Sequence, residues 1–171
     1  FIVCFAAVLA LNFSAYAISG DGTDENPFLI GSDADILVIK SFPDKYYKLI
    51  SDVNLNTSLG DFSGVLDGNG YKITSESKTN IIFASNIGTV KNLTANCSLA
   101  KTNTESGVVE NCVFNNTYRI IGTNDGLIKN SKCINGELNL EYTSSGYINS
   151  AISDYGFAGE NSATGEIIGC D

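Results

Sequence analysis

Apolar positions in the second half of the chain recur at fixed offsets from a glycine. The strings IGTVKNL, SGVVENC and DGLIKNS, followed by the looser SGYINSA and TGEIIGC, carry Gly88, Gly107, Gly126, Gly146 and Gly165. These glycines return every 19 residues, with one interval of 20, and a period of that size is the mark of a repeat architecture. Two positions on from each glycine sit Val90, Val109, Ile128, Ile148 and Ile167, all β-branched and apolar, as a buried strand position prefers. Five positions on come Leu93, Cys112, Ser131, Ala151 and Cys170, and seven on come Ala95, Phe114, Cys133 and Ser153. Inward positions therefore fall on even offsets before position +4 and on odd offsets after it. That change of parity predicts a bend between two short strands. Each period then holds two or three short strands joined by turns, which is one coil of a wound sheet.

Stacking such coils places equivalent residues about 4.8 Å apart, in ladders. The +2 ladder would fill the core. At +4 stand Asn92, Asn111 and Asn130, then Ser150 and Gly169. Stacked asparagines can exchange side-chain amide hydrogen bonds from coil to coil, so these three are expected to be structural rather than ligand-binding. The glycines supply either unusual φ or close backbone approach at a corner. A coil cannot bury its apolar face alone, so stability must come from its neighbours. A leucine-rich repeat fits the period but lacks the Leu-x-x-Leu-x-Leu pattern. A β-sandwich would not explain similar units at nearly constant spacing.

The stretch before the repeats is less regular. Gly20-Asp21-Gly22-Thr23 and Asn26-Pro27 are turn signals, and Pro27–Ile30 reads as a strand. Ser32 is a good N-cap, with Asp33 and Asp35 placed for a first turn, so ADILVIK predicts a short helix ending before Phe42-Pro43. YYKLISDVNL predicts a strand with Tyr47, Leu49, Val53 and Leu55 on one face. In FSGVLDGNGYKIT, Asp67-Gly68-Asn69-Gly70 could close a hairpin. The repeats that follow favour a corner of the wound sheet instead.

GDGTDENPFLI, ADILVI, YYKLISDVNL and FSGVLDGNGYKI together resemble the opening of secreted bacterial-type surface proteins with a right-handed parallel β-helix. The G-x-V-x-N units resemble the GLUG-type repeats of such adhesin-like proteins, and LDGNG is shared widely among pectin-lyase-like β-helices. The likeness runs from about Gly20 to Asp171. It implies an all-β, single-stranded β-helix with a short N-terminal capping helix that blunts the exposed edge. It also implies a secreted or surface-displayed scaffold or adhesin-like module without catalysis of its own, with glycans or extracellular proteins as its partners. A carbohydrate-binding module, or a fragment of a polysaccharide lyase or hydrolase, is the alternative.

The N-terminal run FIVCFAAVLAL is apolar and uncharged, and Ala15-Tyr16-Ala17 follows it. An apolar stretch before a small-x-small site predicts a signal peptide, cleaved after Ala17 and taking Cys4 with it. The run is too short to span a bilayer as a helix. The expected organisation is a leader over 1–17 without its basic n-region, a cap with the first coils over 18–80, and glycine-marked repeats over 81–171. The repeats are expected to continue past Asp171, in a longer exported protein. Net charge is −9, which disfavours nucleic acid and anionic lipid as partners.

The chemistry on offer is sparse. The chain has no His, which removes the usual imidazole base and the commonest transition-metal ligand. Glycoside hydrolysis needs two carboxylates at a set separation. Glu110, Asp125, Glu137, Glu141, Asp154 and Glu166 are available but form no Asp-Asp pair, and the single Arg119 is followed by Ile120-Ile121-Gly122. No catalytic, cofactor or metal residue is therefore assigned. Asp21, Asp24 and Glu25 could offer oxygens to calcium, but their spacing suits a solvated turn better. Tyr118, Tyr142, Tyr147 and Tyr155 would favour sugar binding if three or more shared one open face. Four cysteines follow the leader, Cys97, Cys112, Cys133 and Cys170, and export permits disulfides among them. Cys112 and Cys170 would lie three coils, roughly 14 Å, apart, beyond disulfide reach. Cys112 to Cys133 would be diagonal and strained, so small buried rungs are the favoured reading. Asn56, Asn92, Asn96 and Asn115 each begin an Asn-x-Ser/Thr N-glycosylation pattern.

Overall fold

The computed structural model describes residues 18–77, 79–115, 120–134 and 158–170. The chain winds as a parallel β-solenoid. β1 (Phe28–Ile30) leads through a 3-10 helix, Asp35–Lys40, to β2 (Tyr46–Leu49) and β3 (Val53–Asn54). The next coil contains β4 (Val65–Asp67), β5 (Lys72–Thr74) and β6 (Ile81–Asn86), and the one after it β7 (Thr89–Lys91), β8 (Thr94–Ala95) and β9 (Ser98–Asn103). Then come β10 (Val108–Glu110), β11 (Val113–Asn115) and β12 (Ile121–Asn124). β13 (Leu127–Lys129), β14 (Lys132–Ile134), β15 (Ala158–Asn161) and β16 (Glu166–Ile168) complete the described residues.

From β4 to β15 each coil gives one strand to each of three sheets. Sheet A runs β1-β2-β4-β7-β10-β13-β16, sheet B runs β3-β5-β8-β11-β14, and sheet C runs β6-β9-β12-β15. Every strand pairing is parallel, which excludes the antiparallel sandwich. The LDGNG stretch is a corner and not a hairpin: β4 belongs to sheet A and β5 to sheet B. YYKLISDVNL likewise turns a corner between β2 and β3, while Tyr47, Leu49, Val53 and Leu55 all remain buried as expected.

The repeat offsets become columns of the core. Tyr47, Leu66, Val90, Val109, Ile128 and Ile167 stack in register along sheet A, and Ile73, Ala95, Phe114 and Cys133 along sheet B. Val90, Val109 and Ile128 are fully buried, each worth about 2 kcal/mol over exposure. Sheet C closes the core with Phe83, Ala100, Ile121 and Ala158. The first coils are filled by aromatic rings instead. Tyr47 lies against Phe28 and Phe62, and Phe62 stacks on Phe83 with centroids 4.6 Å apart. The Tyr47 hydroxyl donates to the Phe42 carbonyl.

Three expectations change. First, Gly165 follows Gly126 directly in sheet A, because Ile128 pairs with Ile167. The unit containing Gly146 and Ile148 lies outside the described residues. Second, ADILVIK holds a six-residue 3-10 helix, Asp35–Lys40, that buries Ile36 and Ile39. The Ser32 Oγ accepts the Asp35 N–H at 3.2 Å, but Ser32 is not the N-cap: Ala34 holds that position, without a side-chain capping bond. The helix connects β1 to β2, and β1 itself is the edge strand of sheet A. Third, the repeat glycines Gly88, Gly107, Gly126 and Gly165 do not adopt positive φ. They are needed for close approach: a Cβ on Gly88 would lie 2.1 Å from the Gly64 carbonyl oxygen, and one on Gly126 would lie 2.3 Å from that of Gly107.

Candidate functional site: two columns of asparagine

Two asparagine columns run along the solenoid, one on each side of sheet A. Asn92, Asn111 and Asn130 follow β7, β10 and β13 and have φ of 52°, 53° and 49°. They turn the chain from sheet A into sheet B. The left-handed region costs most residues about 1–2 kcal/mol, and asparagine tolerates it because its short side chain bonds locally. Gly169 takes the same offset with φ 61°. The predicted amide exchange along this column does not form. Asn111 and Asn130 are exposed, and Asn92 donates through Nδ2 to Asp67 Oδ1 at 3.0 Å. The reason is conformational: in this turn the backbone needs the asparagine, and its side chain is left at the surface.

The amide ladder belongs to a column that the glycine alignment did not single out. Asn86, Asn103 and Asn124 end β6, β9 and β12, and all three are fully buried. Asn86 Nδ2 donates to Asn103 Oδ1 at 2.8 Å, Asn103 Nδ2 to Asn124 Oδ1 at 2.8 Å, and Asn124 Nδ2 to Asn161 Oδ1 at 2.7 Å. The second amide hydrogen closes each corner onto the backbone. Asn103 donates to the Gly107 carbonyl at 3.1 Å, Asn124 to that of Gly126 at 3.1 Å, and Asn161 to that of Gly165 at 2.9 Å. These carbonyl bonds fix every amide in one orientation, so the ladder has a polarity. It begins beside Phe62, which pairs with Asn86 and has no donor to offer. Asn86 Oδ1 is therefore buried without a partner among the described residues.

The cysteines are also woven into the corners. The +5 column is Leu93, Cys112, Ser131 and Cys170. The Cys112 N–H donates to Ser131 Oγ at 3.2 Å, and the Ser131 N–H to Cys170 Sγ at 3.4 Å. Cys170 thus stands over Ser131, two coils and about 10 Å from Cys112, not three. That remains beyond the reach of a disulfide. Cys97, Cys112 and Cys133 carry free thiols. Cys112 Sγ donates to the Glu110 carbonyl at 3.2 Å, so this rung is polar rather than simply small. Burial raises Cys112 to about 12 and Cys97 to about 11, and it also raises Cys133. Such thiols carry little thiolate at neutral pH and are poor nucleophiles.

The outer face of sheet A carries an alternating row of charge. Lys48, Asp67, Lys91, Glu110 and Lys129 lie in register on successive strands, and Lys129 Nζ sits 2.6 Å from Glu110 Oε2. Residues Lys91, Glu110 and Lys129 share offset +3, so this row was readable from the repeat. Of the acids considered for hydrolysis, Glu110 is taken up by this pair and Glu166 is exposed next to Leu127 in sheet A. Glu137, Glu141 and Asp154 lie outside the described residues, as do Arg119 and the four tyrosines considered for sugar stacking. Asp21 is held below the usual carboxylate range by hydrogen bonds from the Thr23 hydroxyl and N–H. Among the described residues no three Cys, Asp or Glu side chains converge as metal ligands would.

No family model matches the chain, and no curated protein or solved structure matches it. The fold itself is plain: an all-β parallel solenoid in which the coils from β4 to β15 repeat the same three-sheet path.

Proposed function

We propose that the chain is a non-catalytic, exported β-solenoid module that acts as an adhesin-like or extracellular scaffold. The observation that carries this reading is how the polar side chains are used. The buried amides bond to amides and carbonyls of the same and neighbouring coils, and the Cys112 and Cys170 thiols and the Ser131 hydroxyl bond to backbone carbonyls. Among the described residues these polar side chains are spent on tying corners and coils together. A stack of this kind is a rigid rod with flat faces, suited to display and spacing. The apolar leader-like run and the acidic balance fit export, with glycans or extracellular proteins as partners and nucleic acid disfavoured. None of the described helices is long and apolar enough to cross a membrane. The GLUG-type likeness adds to the reading through the quoted motifs alone.

The test has two parts. Protease shaving and fractionation of cells expressing the chain should find it outside the membrane, and retention in the cytoplasm overturns export. Purified protein is then applied to glycan and matrix-protein arrays and incubated with polysaccharides. Saturable binding without cleavage supports the module, whereas reproducible chain cleavage overturns the non-catalytic reading.

A further inference from the structure

Four asparagines of the described residues begin an N-glycosylation pattern, and their surroundings in the solenoid differ sharply. Asn96 is tied at both ends to the neighbouring coil: its Oδ1 accepts the Ser75 N–H at 2.7 Å and its Nδ2 donates to the Ser75 carbonyl at 3.0 Å. A sugar on that nitrogen would have to enter the space between two coils. Asn92 is half-buried with φ 52°, and its Nδ2 is engaged by Asp67. Asn115 is the last residue of β11, paired with Ile134 of β14. Asn56 alone lies in an exposed turn, Asn56-Thr57-Ser58, between β3 and the buried Leu59.

The Asn56 amide is also oriented. Its Oδ1 accepts the Ser75 hydroxyl and the Glu76 N–H, each at 3.1 Å. Both bonds fall on the oxygen, the residue is exposed, and the nitrogen has no partner among the described residues. An amide nitrogen keeps one hydrogen after glycosylation and its carbonyl oxygen is untouched. The two bonds that anchor the turn would therefore survive the modification.

We infer that Asn56 is the N-glycan acceptor of this chain. The inference rests on the export reading, since the modification takes place in a secretory compartment. The co-reactant is a polyprenyl-pyrophosphate-linked oligosaccharide, used by the host's oligosaccharyltransferase. A bond forms between Asn56 Nδ2 and the anomeric carbon, the bond from that carbon to the pyrophosphate oxygen breaks, the nitrogen loses one proton and the lipid pyrophosphate leaves. The glycan would stand off the turn that leads from sheet B toward sheet C and leave the outer face of sheet A clear.

The test expresses the whole chain behind a host secretory leader in eukaryotic secretory cells. Secreted protein is treated with peptide:N-glycosidase in heavy-oxygen water, and the labelled aspartate is located by peptide mass. The expected result is label at residue 56 and none at 92 or 96. Loss of the glycan is expected in both Asn56→Gln and Ser58→Ala, the second of which leaves the Asn56 amide in place. Secreted, folded protein with Asn56 unmodified overturns the inference, and so does a glycan on Asn92 or Asn96. A parallel expression with the chain's own N-terminus tests export by itself: failure there contradicts the export reading and leaves the Asn56 result standing.

Discussion

The two asparagine columns use one residue type for opposite reasons. Along Asn86, Asn103 and Asn124 the side chain is what matters: it is buried, and at Asn103 and Asn124 both ends of its amide are engaged from coil to coil. Along Asn92, Asn111 and Asn130 the backbone is what matters: the residue takes positive φ, and at Asn111 and Asn130 its side chain is exposed. A repeated asparagine is thus ambiguous in a sequence. Burial decides whether it is a rivet or a hinge.

The largest expected effect breaks the first column. Asn103→Leu removes a buried amide, strands Asn124 Oδ1, and leaves Asn86 Nδ2 with a 3.4 Å bond to the Val108 carbonyl and the Gly107 carbonyl with the Leu127 N–H alone. Buried groups left unpaired cost about 1–3 kcal/mol each, and a shared network can lose more than one such term at once. Urea unfolding should show a loss of about 4 kcal/mol. Gly126→Ala comes next. Its new Cβ would press on the Thr104 and Gly107 carbonyl oxygens and on Asn103 Nδ2, so it attacks the same ladder from the backbone side. About 3 kcal/mol is expected, from overpacking against atoms that cannot give way.

The second column should respond quite differently. Asn111→Gly should change stability by less than about 0.5 kcal/mol, because glycine accepts positive φ freely. Asn111→Val should cost about 1–2 kcal/mol, because a β-branched residue does not. If the glycine variant lost as much as Asn103→Leu, the hinge reading would be wrong. The neighbouring Cys112 sharpens the contrast, since one step past the exposed Asn111 the chain is fully buried. The folded-state value of Cys112 is raised from 9.0 to about 12, so its folded form favours the protonated thiol. Its contribution is fully present below pH 9 and is lost as pH rises toward 12. Stability should therefore fall across that window, and the fall should be shallower in Cys112→Ala when both are unfolded in urea at stepped pH. The smallest effect belongs to the outer charge row. Glu110→Ala should cost less than about 1 kcal/mol, and the difference should shrink in high salt.

Much of this fold was legible in the sequence. The +2, +5 and +7 offsets identified Val90, Val109, Ile128, Cys112, Phe114 and Ala95 as inward, and all are buried. Such columns survive alignment because the segment from glycine through the sheet A strand to sheet B has constant length in these coils. The amide ladder was hidden because the turn before the glycine does not. Asn86 and Asn124 precede their glycines by two residues, whereas Asn103 and Asn161 precede theirs by four. The longer turns hold Thr-Glu-Ser or Ser-Ala-Thr where the shorter ones hold a single residue, and their hydroxyls bond within the turn. An alignment anchored on glycine therefore scatters one straight column over two offsets. The direct step from Gly126 to Gly165 in sheet A was illegible for a different reason. A matching string can propose a rung, but only pairing decides it, and Ile128 pairs with Ile167.

The most direct measurement compares side-chain amide hydrogen exchange at Asn103 and Asn111 by NMR in one sample. The account predicts that the Asn103 amide hydrogens exchange only with opening of the solenoid, orders of magnitude more slowly than those of Asn111, which should exchange as free amides do. Equal, rapid exchange at both residues would contradict a buried amide ladder as the tie between coils.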